Sequence, residues 1–346
     1  MAPSAVLVNM TNCKPRLETI DLFAGAGGLS IGLEAAGFSP VAAIESCPDA
    51  CASYRAHHPG AEVMGTDIAG IDFSAWRGRF AMVAGGPPCQ PFSIGGKRLA
   101  ARDPRDGIPQ FLRAVAQLEP PAFLMEHVAG LAVSSKRAYF QSVISHLERL
   151  GYRTSWQVLE AADYGVPQAR KRLFVVGTRG PRFTFPPPTH GPLARSPHRA
   201  AGSVVQAGRP RGELNTAIVT YARRPSLRPG PYHGHLYNGG GRPIELSKPA
   251  PTLLASMGGN KTPWVDTLGV VPEYHAHLLA GGSPRQGQVP GARRITIDEA
   301  ALIQGFPPGT VFAGLRSSQY RQVGNAVPPA VGEQIGLALR QQVFDL

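Results

Sequence analysis

One cysteine of the chain, Cys89, lies in a sequence that suits a catalytic nucleophile. It lies in the sequence Gly-Gly-Pro-Pro-Cys-Gln-Pro-Phe-Ser of residues 85–93, directly after an apolar run at residues 80–84. Proline fixes the backbone dihedral φ and glycine permits values closed to other residues, so this pattern predicts a strand that opens into a stiff loop. A lone cysteine beside a strand is more often a small buried side chain. The rigid loop at a strand end, where α/β sheets present reactive groups, favours a nucleophile instead.

A carboxylate and a pair of arginines are the next candidates for chemistry. Glu126 ends an apolar run one predicted strand after Cys89. Because parallel strands place their carboxyl ends at one edge of a sheet, the two side chains can become neighbours. Gln168, Arg170 and Arg172 alternate along an extended segment that leads into another apolar run, and alternation places them on one side. Without that context, an Arg-x-Arg pair more often covers a solvated face.

A glycine-rich turn near the N-terminus predicts a nucleotide site. Residues 19–23 resemble a short strand, and the sequence Ala-Gly-Ala-Gly-Gly-Leu-Ser of residues 24–30 leads from it into an amphipathic helix. Strand, glycine turn and helix begin a doubly wound sheet that binds nucleotides at the helix N-terminus. Glu45 and Asp67 follow the next two predicted strands, where such folds bind ribose hydroxyls. The turn departs from the dinucleotide fingerprint because Ser30 replaces its last glycine.

The order and composition of these motifs resemble the DNA cytosine-5 methyltransferases of bacterial type. The resemblance rests on the Pro-Cys-Gln of residues 88–90, the Gln-x-Arg-x-Arg of residues 168–172 and the Gln-Val-Gly-Asn-Ala-Val-Pro-Pro of residues 322–329. It extends over about residues 19–339, and only residues 181–250 fall outside the family motifs. It implies methyl transfer from S-adenosylmethionine to carbon 5 of a cytosine in a specific duplex DNA sequence.

The resemblance assigns a mechanism to the candidate residues. The Cys89 thiolate adds to carbon 6 of cytosine, which makes carbon 5 nucleophilic enough to take the methyl group. Glu126 acts at ring nitrogen 3 and Arg172 at the exocyclic oxygen, while the target base is flipped out of the duplex. The implied catalytic residues are Cys89, Glu126, Arg170 and Arg172, with Gln90, Ser93 and Gln168 as further substrate contacts.

The resemblance also implies a set of S-adenosylmethionine contacts. Phe23 packs on the adenine and Glu45 binds the ribose. Asp67 and Ile68 read the adenine edge. The implied set is Phe23, Ala24, Gly25, Gly27, Gly28, Leu29, Glu45, Asp67, Ile68, Pro87, Asn325 and Val327. A nicotinamide oxidoreductase would explain the same acids but would leave Cys89 without a role.

One residue departs from the family pattern. The family motif Glu-Asn-Val is here Glu126-His127-Val128. Histidine cannot reproduce both the acceptor and the paired donors of an asparagine amide. We expect activity to survive, with His127 either loosening the catalytic loop or adding pH dependence near neutrality. The departure leaves a catalytically silent DNA-binding relative as an alternative.

The chain is basic, and its charge is concentrated in one segment. Its 346 residues carry a net charge of +12, and residues 181–250 hold ten lysines and arginines against two acids, a net of +8. A localised basic segment is the electrostatic footprint of phosphate binding. The same segment contains twelve prolines, which argue against long helices and leave a low-complexity linker as an alternative. As a target-recognition region it would contact DNA through Arg223, Arg224, Arg228 and Arg242.

The expected fold class is α/β: a Rossmann-like S-adenosylmethionine-dependent methyltransferase fold with a mostly parallel sheet, plus a smaller irregular target-recognition domain. The segment after Ile297 has the apolar spacing and acidic first turn of a short helix. Residues 322–329 then open a final helix that, by the resemblance, returns to the cofactor domain. We therefore expect a discontinuous catalytic domain, residues 1–180 with 315–346, around residues 181–314.

Composition limits the remaining partners. Four cysteines without CxxC pairs indicate neither a metal site nor disulfides, and no apolar run is long enough to span a membrane. We expect a cytoplasmic, nucleoid-associated monomer, prokaryotic because it lacks a regulatory extension. Its partners would be double-stranded DNA and a cognate restriction endonuclease. A tRNA cytosine-5 methyltransferase is the alternative within the class.

Overall fold

A computed structural model of the chain describes residues 16–88, 106–133, 136–205, 212, 215–238 and 241–345. The predicted Cys89, Gln90 and Ser93 lie outside the described residues. The first eight strands along the chain are β1 Glu18–Leu22, β2 Ser39–Ile44, β3 Glu62–Met64, β4 Met82–Gly85, β5 Ala122–Val128, β6 Arg153–Glu160, β7 Gln168–Ala169 and β8 Lys171–Thr178. All of these except β7 belong to one central sheet.

The strand order in the central sheet is β3-β2-β1-β4-β5-β8-β6. The first five strands along the chain pair in parallel, whereas β8 runs antiparallel to both of its neighbours. This confirms the mostly parallel sheet expected from the sequence. The direction of winding reverses between β1 and β4, which is the point where open α/β sheets bind ligands.

Helices cover both faces of the sheet because its central strands are apolar on both sides. All of β4 and all but the last residue of β5 are buried, as is typical of parallel strands. One face carries a core that includes Phe111 and Phe123, and the other carries a core that includes Leu33 and Leu124. The helices after the first strands are α1 Gly28–Ala35, α2 Pro48–His57, α3 Ile108–Leu118 and α4 Arg137–Arg149.

The rest of the chain up to residue 325 adds shorter elements. These are β9 Tyr221–Ser226, β10 His235–Tyr237, β11 Ala250–Pro251, β12 Trp264–Asp266, α5 Val270–Leu279, β13 Ala292–Arg294, α6 Ile297–Gln304 and α7 Arg316–Asn325. Between residues 181 and 250, the described stretches contain short strands and no α-helix, as the proline content predicts. Helix α6 begins with a capping box between Thr296 and Glu299, which confirms the short helix expected after Ile297.

A separate aromatic core supports the hairpin of β9 and β10. The rings of Tyr221 and Tyr274 lie 4.7 Å apart between centroids, and those of Tyr237 and Trp264 lie 5.0 Å apart. All four side chains are buried. The hairpin therefore packs against a hydrophobic core of its own. This excludes a low-complexity linker for residues 221–237.

The last helix, α8 Pro329–Val343, packs against α1. The approach requires glycine: a Cβ at Gly32 would lie 2.1 Å from the carbonyl oxygen of Pro329, and one at Gly28 would lie 2.5 Å from that of Val327. The return of the final helix to the start of the sheet is thus confirmed. It also brings the segment after α7 against the glycine turn that follows β1.

Candidate active site

The carboxyl ends of the parallel strands open into one cleft of about 1210 Å³. Its walls come from the loops after β1 to β4, the end of β5, the start of β8 and helix α7. The sequence-predicted residues that line it are Phe23, Ala24, Gly25, Gly28, Leu29, Glu45, Asp67, Ile68, Pro87, Glu126, Arg170, Arg172, Asn325 and Val327. Ligand pockets usually measure roughly 300–1,000 Å³, so this cleft has room for more than one ligand.

The glycine turn bends sharply at the cleft. Phe23, Gly25 and Gly27 have φ values of 57°, 55° and 84°, all in the left-handed region that favours glycine. A Cβ at Gly27 would lie 2.9 Å from the ring of Tyr54. Gly27 is the one predicted cofactor residue that does not line the cleft. Gly27 forms the turn at the start of α1 and allows Tyr54 to pack there.

Two carboxylates at the glycine-turn end are fixed by backbone groups. Glu45 accepts hydrogen bonds from the N–H groups of Gly25, at 2.9 Å, and Cys47, at 2.8 Å. Asp67 accepts one from the N–H of Ala69 at 2.9 Å. These bonds hold the carboxylates at the cleft wall and leave lone pairs that can accept from ligand hydroxyl or amino groups.

Asp21 is a third carboxylate in this wall, and the sequence patterns did not single it out. It lies within β1, is 1% exposed and accepts a 2.6 Å hydrogen bond from the Ser30 hydroxyl, which in turn accepts one from Tyr54 at 2.8 Å. Burial, with a smaller contribution from the charge of Glu45, raises the pKa of Asp21 to about 7, although the hydrogen bond from Ser30 lowers it. An acidic residue between the apolar Ile20 and Leu22 of a buried strand was the available signal.

Glu126 and Arg172 form an ion pair at the opposite end of the cleft. Strands β5 and β8 are antiparallel neighbours, with Val128 opposite Arg172, so the two side chains meet at the edge of the sheet. Arg172 Nε lies 3.1 Å from Glu126 Oε1, and the side chains are 18% and 11% exposed. Burial raises the pKa of Glu126, while Arg172 and then Arg170 lower it. The pair can therefore present either a protonated or an ionised carboxyl to a ligand.

Arg170 lines the cleft wall but is bound to the protein backbone. It is 1% exposed, and its guanidinium donates to the carbonyl oxygens of Leu253, Gly324 and Ala326 at 3.0, 3.0 and 3.1 Å. The predicted catalytic role is therefore corrected to a positioning role. Arg170 links the start of β8, which carries Arg172, to Leu253 and to the end of helix α7.

Gln168 is also structural. The alternation of Gln168, Arg170 and Arg172 is confirmed, because Ala169 and Lys171 between them are exposed. Gln168 itself is fully buried, donates to Gln304 Oε1 at 2.6 Å and accepts from the Leu253 N–H at 3.0 Å. It has no free group for DNA, so the predicted substrate contact is wrong.

Comparison with known proteins decides the family. The model of the C-5 cytosine-specific DNA methylase family matches residues 17–206 and 248–341. This chain belongs to that family. It is a DNA cytosine-5 methyltransferase that uses S-adenosylmethionine. The unmatched stretch, residues 207–247, falls inside the basic segment that the sequence motifs left uncovered.

Several relatives resemble the methyltransferase along most of its length. The Type II methyltransferase M1.HphI of Haemophilus parahaemolyticus is 33% identical, over 93% of this chain and 86% of its own. M.NgoMIV of Neisseria gonorrhoeae is 31% identical, over 93% of this chain and 96% of its own. A putative DNA modification methyltransferase encoded within an E. coli prophage superposes with a TM-score of 0.66 at 21% identity, covering 95% and 99% of the two chains. The last similarity confirms the fold.

His127 of the methyltransferase is buried. It is 1% exposed, its Nε2 has no hydrogen-bond partner among the described residues, and Nδ1 lies 3.4 Å from the Val128 carbonyl oxygen. Burial, together with the smaller contributions of the Lys136 and Arg172 charges, lowers the pKa of His127 to about 4, against the backbone hydrogen bond to Val128, which raises it. A pKa this low argues against the expectation that His127 adds pH dependence to activity near neutrality.

The four predicted DNA-reading arginines lie away from the cleft. Arg223 and Arg224 lie on β9, Arg228 in the turn after it and Arg242 beyond β10; all are exposed, and none has a side-chain partner among the described residues. The buried His275 of α5 lies with its Nε2 2.7 Å from the carbonyl oxygen of Arg228 and so fixes that turn. Across the described ranges, no helix has the length and apolar character needed to cross a bilayer.

Proposed function

We propose that the methyltransferase modifies a cytosine flipped out of a specific duplex DNA sequence, through a covalent bond to Cys89. The observation that carries this proposal is the Glu126–Arg172 pair in the wall of a cleft that also contains the glycine turn. Pro87 and Pro88 line the same cleft, and Cys89 is the next residue in the sequence. A flipped base is required because a stacked one cannot enter such a cleft.

Each polar group at the arginine end has a defined task in this reaction. The Cys89 thiolate forms a bond to cytosine carbon 6, and the electron pair displaced through the ring makes carbon 5 a nucleophile. Glu126 in its protonated form donates to ring nitrogen 3 as charge develops there, and Arg172 donates to the exocyclic oxygen. After methylation, loss of the carbon 5 proton returns an electron pair to the ring and expels the Cys89 thiolate.

The glycine-turn end fits S-adenosylmethionine, which supplies the methyl group when bound. We propose that Glu45 accepts from the ribose hydroxyls and that Asp67 with Ile68 contacts the adenine, while Phe23 packs on its ring. The fixed Glu45 carboxylate supports this assignment, because two backbone N–H groups leave its outward lone pairs free. The backbone of the glycine turn and Asn325 line the remaining wall, where the methionine end would lie.

We propose two domains, residues 1–180 with 315–346 and residues 181–314. Two cores on the sheet faces support the first, and the aromatic core beneath β9 and β10 supports the second. Helix α7 also packs into a third core that includes Leu253 and Ile303, so it joins the two domains. The gap in the family match, residues 207–247, supports placing sequence recognition there, through Arg223, Arg224, Arg228 and Arg242.

We also propose a biological setting for the enzyme. Its relatives M1.HphI and M.NgoMIV are named Type II methyltransferases, which supports a role in a restriction-modification system with a cognate endonuclease. A DNA substrate supports action at the bacterial nucleoid, in the cytoplasm. We propose that a monomer is the working form, because one chain contains all the groups assigned above.

The proposed function is tested by trapping. The protein is incubated with S-adenosylmethionine and mixed-sequence duplex DNA containing 5-fluorocytosine, and the products are separated by denaturing gel and identified by mass spectrometry. Fluorine cannot leave as the proton does, so we expect a methylated adduct on Cys89. Replacing Cys89 with alanine should abolish the adduct and retain DNA binding. An adduct on RNA alone would favour a tRNA methyltransferase, and DNA binding without any adduct would favour a catalytically silent relative.

A further inference from the structure

Arg321 is a positively charged side chain of the cleft that has no partner among the described residues and no role in the function proposed above. Among the described residues, the basic side chains that line the cleft are Arg170, Arg172 and Arg321. Arg170 is bound to backbone carbonyls and Arg172 to Glu126. Arg321 is exposed and makes no ion pair or side-chain hydrogen bond within the described part of the chain. An unpaired guanidinium in the wall of a binding cleft is available to an anion of the ligand.

The helix under Arg321 is fixed, so the side chain has a defined place. Tyr320 is fully buried and its hydroxyl donates to the Ile295 carbonyl oxygen at 2.5 Å. Gln322, on the other side, is buried; it accepts a hydrogen bond from the Ser53 hydroxyl at 2.6 Å and donates one to the Ala313 carbonyl oxygen at 2.9 Å. Arg321 therefore stands between two anchored residues and extends toward the cleft.

The position of Arg321 along α7 separates it from the glycine-turn end. Val327 contacts that turn, since a Cβ at Gly28 would lie 2.5 Å from the Val327 carbonyl oxygen. Asn325 lies just before this contact, and Arg321 lies one helical turn earlier, roughly 6 Å further along the axis. Leu254, Ala255 and Ser256 also line the cleft, and Leu254 packs against α7 at Gly324, where a Cβ would lie 2.5 Å from the Leu254 carbonyl oxygen. Arg321 is thus displaced along α7 from the cofactor end.

We propose that Arg321 binds a backbone phosphate of the DNA strand that carries the target cytosine. This rests on the proposed function, in which a flipped nucleotide enters the cleft. Its base reaches Glu126 and Arg172, while the phosphates that flank it must stay at the mouth, where an exposed guanidinium can form a bidentate pair. Such a contact holds the flipped strand at any sequence, since phosphate contacts position DNA without reading it. It extends the DNA interface beyond the basic segment 181–250 to helix α7.

The test compares variants that each change one arginine. Arg321→Ala removes the cation, Arg321→Lys keeps a charge that can still bind phosphate, and Arg149→Ala is the matched control. Arg149 is an exposed arginine at the end of α4 that does not line the cleft and has no side-chain partner among the described residues. Binding of each protein to a fluorescein-labelled mixed-sequence duplex is measured by anisotropy across a range of salt concentrations. Binding of S-adenosylhomocysteine is measured by calorimetry.

We expect Arg321→Ala to reduce the slope of log K against log salt by about one, the value for a single phosphate contact. Arg321→Lys and Arg149→Ala should keep the wild-type slope, and all variants should bind S-adenosylhomocysteine as the wild type does. A wild-type slope in Arg321→Ala overturns the proposal. Weaker S-adenosylhomocysteine binding with an unchanged DNA slope also overturns it, because the anion would then be the cofactor carboxylate. Failure of the proposed function is seen separately, as no 5-fluorocytosine adduct in the wild-type protein.

Discussion

The two ends of the cleft carry opposite charges and are held in place in different ways. At the glycine-turn end, Glu45 and Asp67 are fixed partly by N–H groups only two residues further along the chain. At the other end, Arg170 reaches carbonyl oxygens of Leu253 and Gly324, which are 83 and 154 residues away. The acids are therefore placed largely by local structure and the arginines by the tertiary fold. We therefore expect substitutions at the two ends to change different properties. At the glycine-turn end they should change ligand binding and the pH dependence of stability, and at the arginine end they should change the rate of methyl transfer and the free energy of unfolding.

The largest effect is expected on the rate of methyl transfer, at Glu126, which is proposed to donate a proton to the cytosine ring. Glu126→Gln keeps the side-chain shape but removes the proton that the carboxyl donates to the ring, so kcat should fall by about 10²- to 10⁴-fold. The measurement is transfer of labelled methyl groups to mixed-sequence duplex DNA under saturating cofactor. Binding of S-adenosylhomocysteine, at the other end of the cleft, should not change. A kcat within tenfold of wild type would contradict the assigned role.

The next effect is on folding, at Arg170. Arg170→Ala leaves the buried carbonyl oxygens of Leu253 and Gly324 without this donor, at about 1 kcal/mol or more each, whereas the Ala326 oxygen keeps its bond from Gln304 Nε2. The free energy of unfolding should therefore fall by about 2 kcal/mol or more. Arg172→Ala, two residues away, should cost much less stability because Glu126 can take up a proton once its partner is gone, while its activity falls. Urea unfolding and methyl transfer are measured for both variants. Equal stability losses would show that the two arginines do not differ in role.

The contrast between Arg170 and Arg172 also shows where sequence reasoning ends. The alternation that places both arginines on one side was correct, because it depends only on the geometry of an extended chain. Which of them faces the ligand depends on Leu253 and Gly324, whose proximity no local pattern reveals. Gln168 failed for the same reason, since its partner Gln304 lies 136 residues further on.

The glycine-turn end was more predictable, with one omission. The strand, turn and acid order indicated Glu45 and Asp67, and both line the cleft. Asp21 was missed because it lies inside β1, where residues 19–23 indicated a strand and gave no sign of a ligand contact. Asp21 lies in the cleft wall because of the direction in which its side chain leaves the sheet. The strand, turn and acid motif carries no information on that direction.

The buried Asp21 should make stability depend on pH. Its pKa rises from 3.8 to about 7 on folding, so the folded protein holds a proton that the unfolded chain has lost, and stability falls as pH rises toward and through 7. Between pH 6 and 8 this loss amounts to about 1.4 kcal/mol. Asp21→Asn does not titrate and should lack it. Urea unfolding of both proteins across this range is the measurement, and parallel curves would contradict the burial of an ionisable Asp21.

The smallest effect is expected at His127, next to Glu126. Burial disfavours a protonated imidazole there, and the positive charges of Lys136 and Arg172 disfavour it further, so the folded pKa falls to about 4. The unfolded chain takes up a proton first as pH falls, so the stability due to neutral His127 is complete well above pH 6.5 and is lost between 6.5 and 4. From pH 7 to 6 the loss is about 0.7 kcal/mol, and His127→Asn should remove it.

The same substitution tests whether His127 changes the charge beside Glu126 and Arg172 at working pH. Since His127 stays neutral in the folded protein near neutrality, His127→Asn should leave the shape of the pH–activity curve between pH 6.5 and 8.5 unchanged. A curve that differs in shape would mean that His127 does titrate in the folded enzyme and that its charge reaches Glu126. The arginine end would then sense pH through two residues, and the contrast with Asp21, the titrating group of the acidic end, would no longer hold.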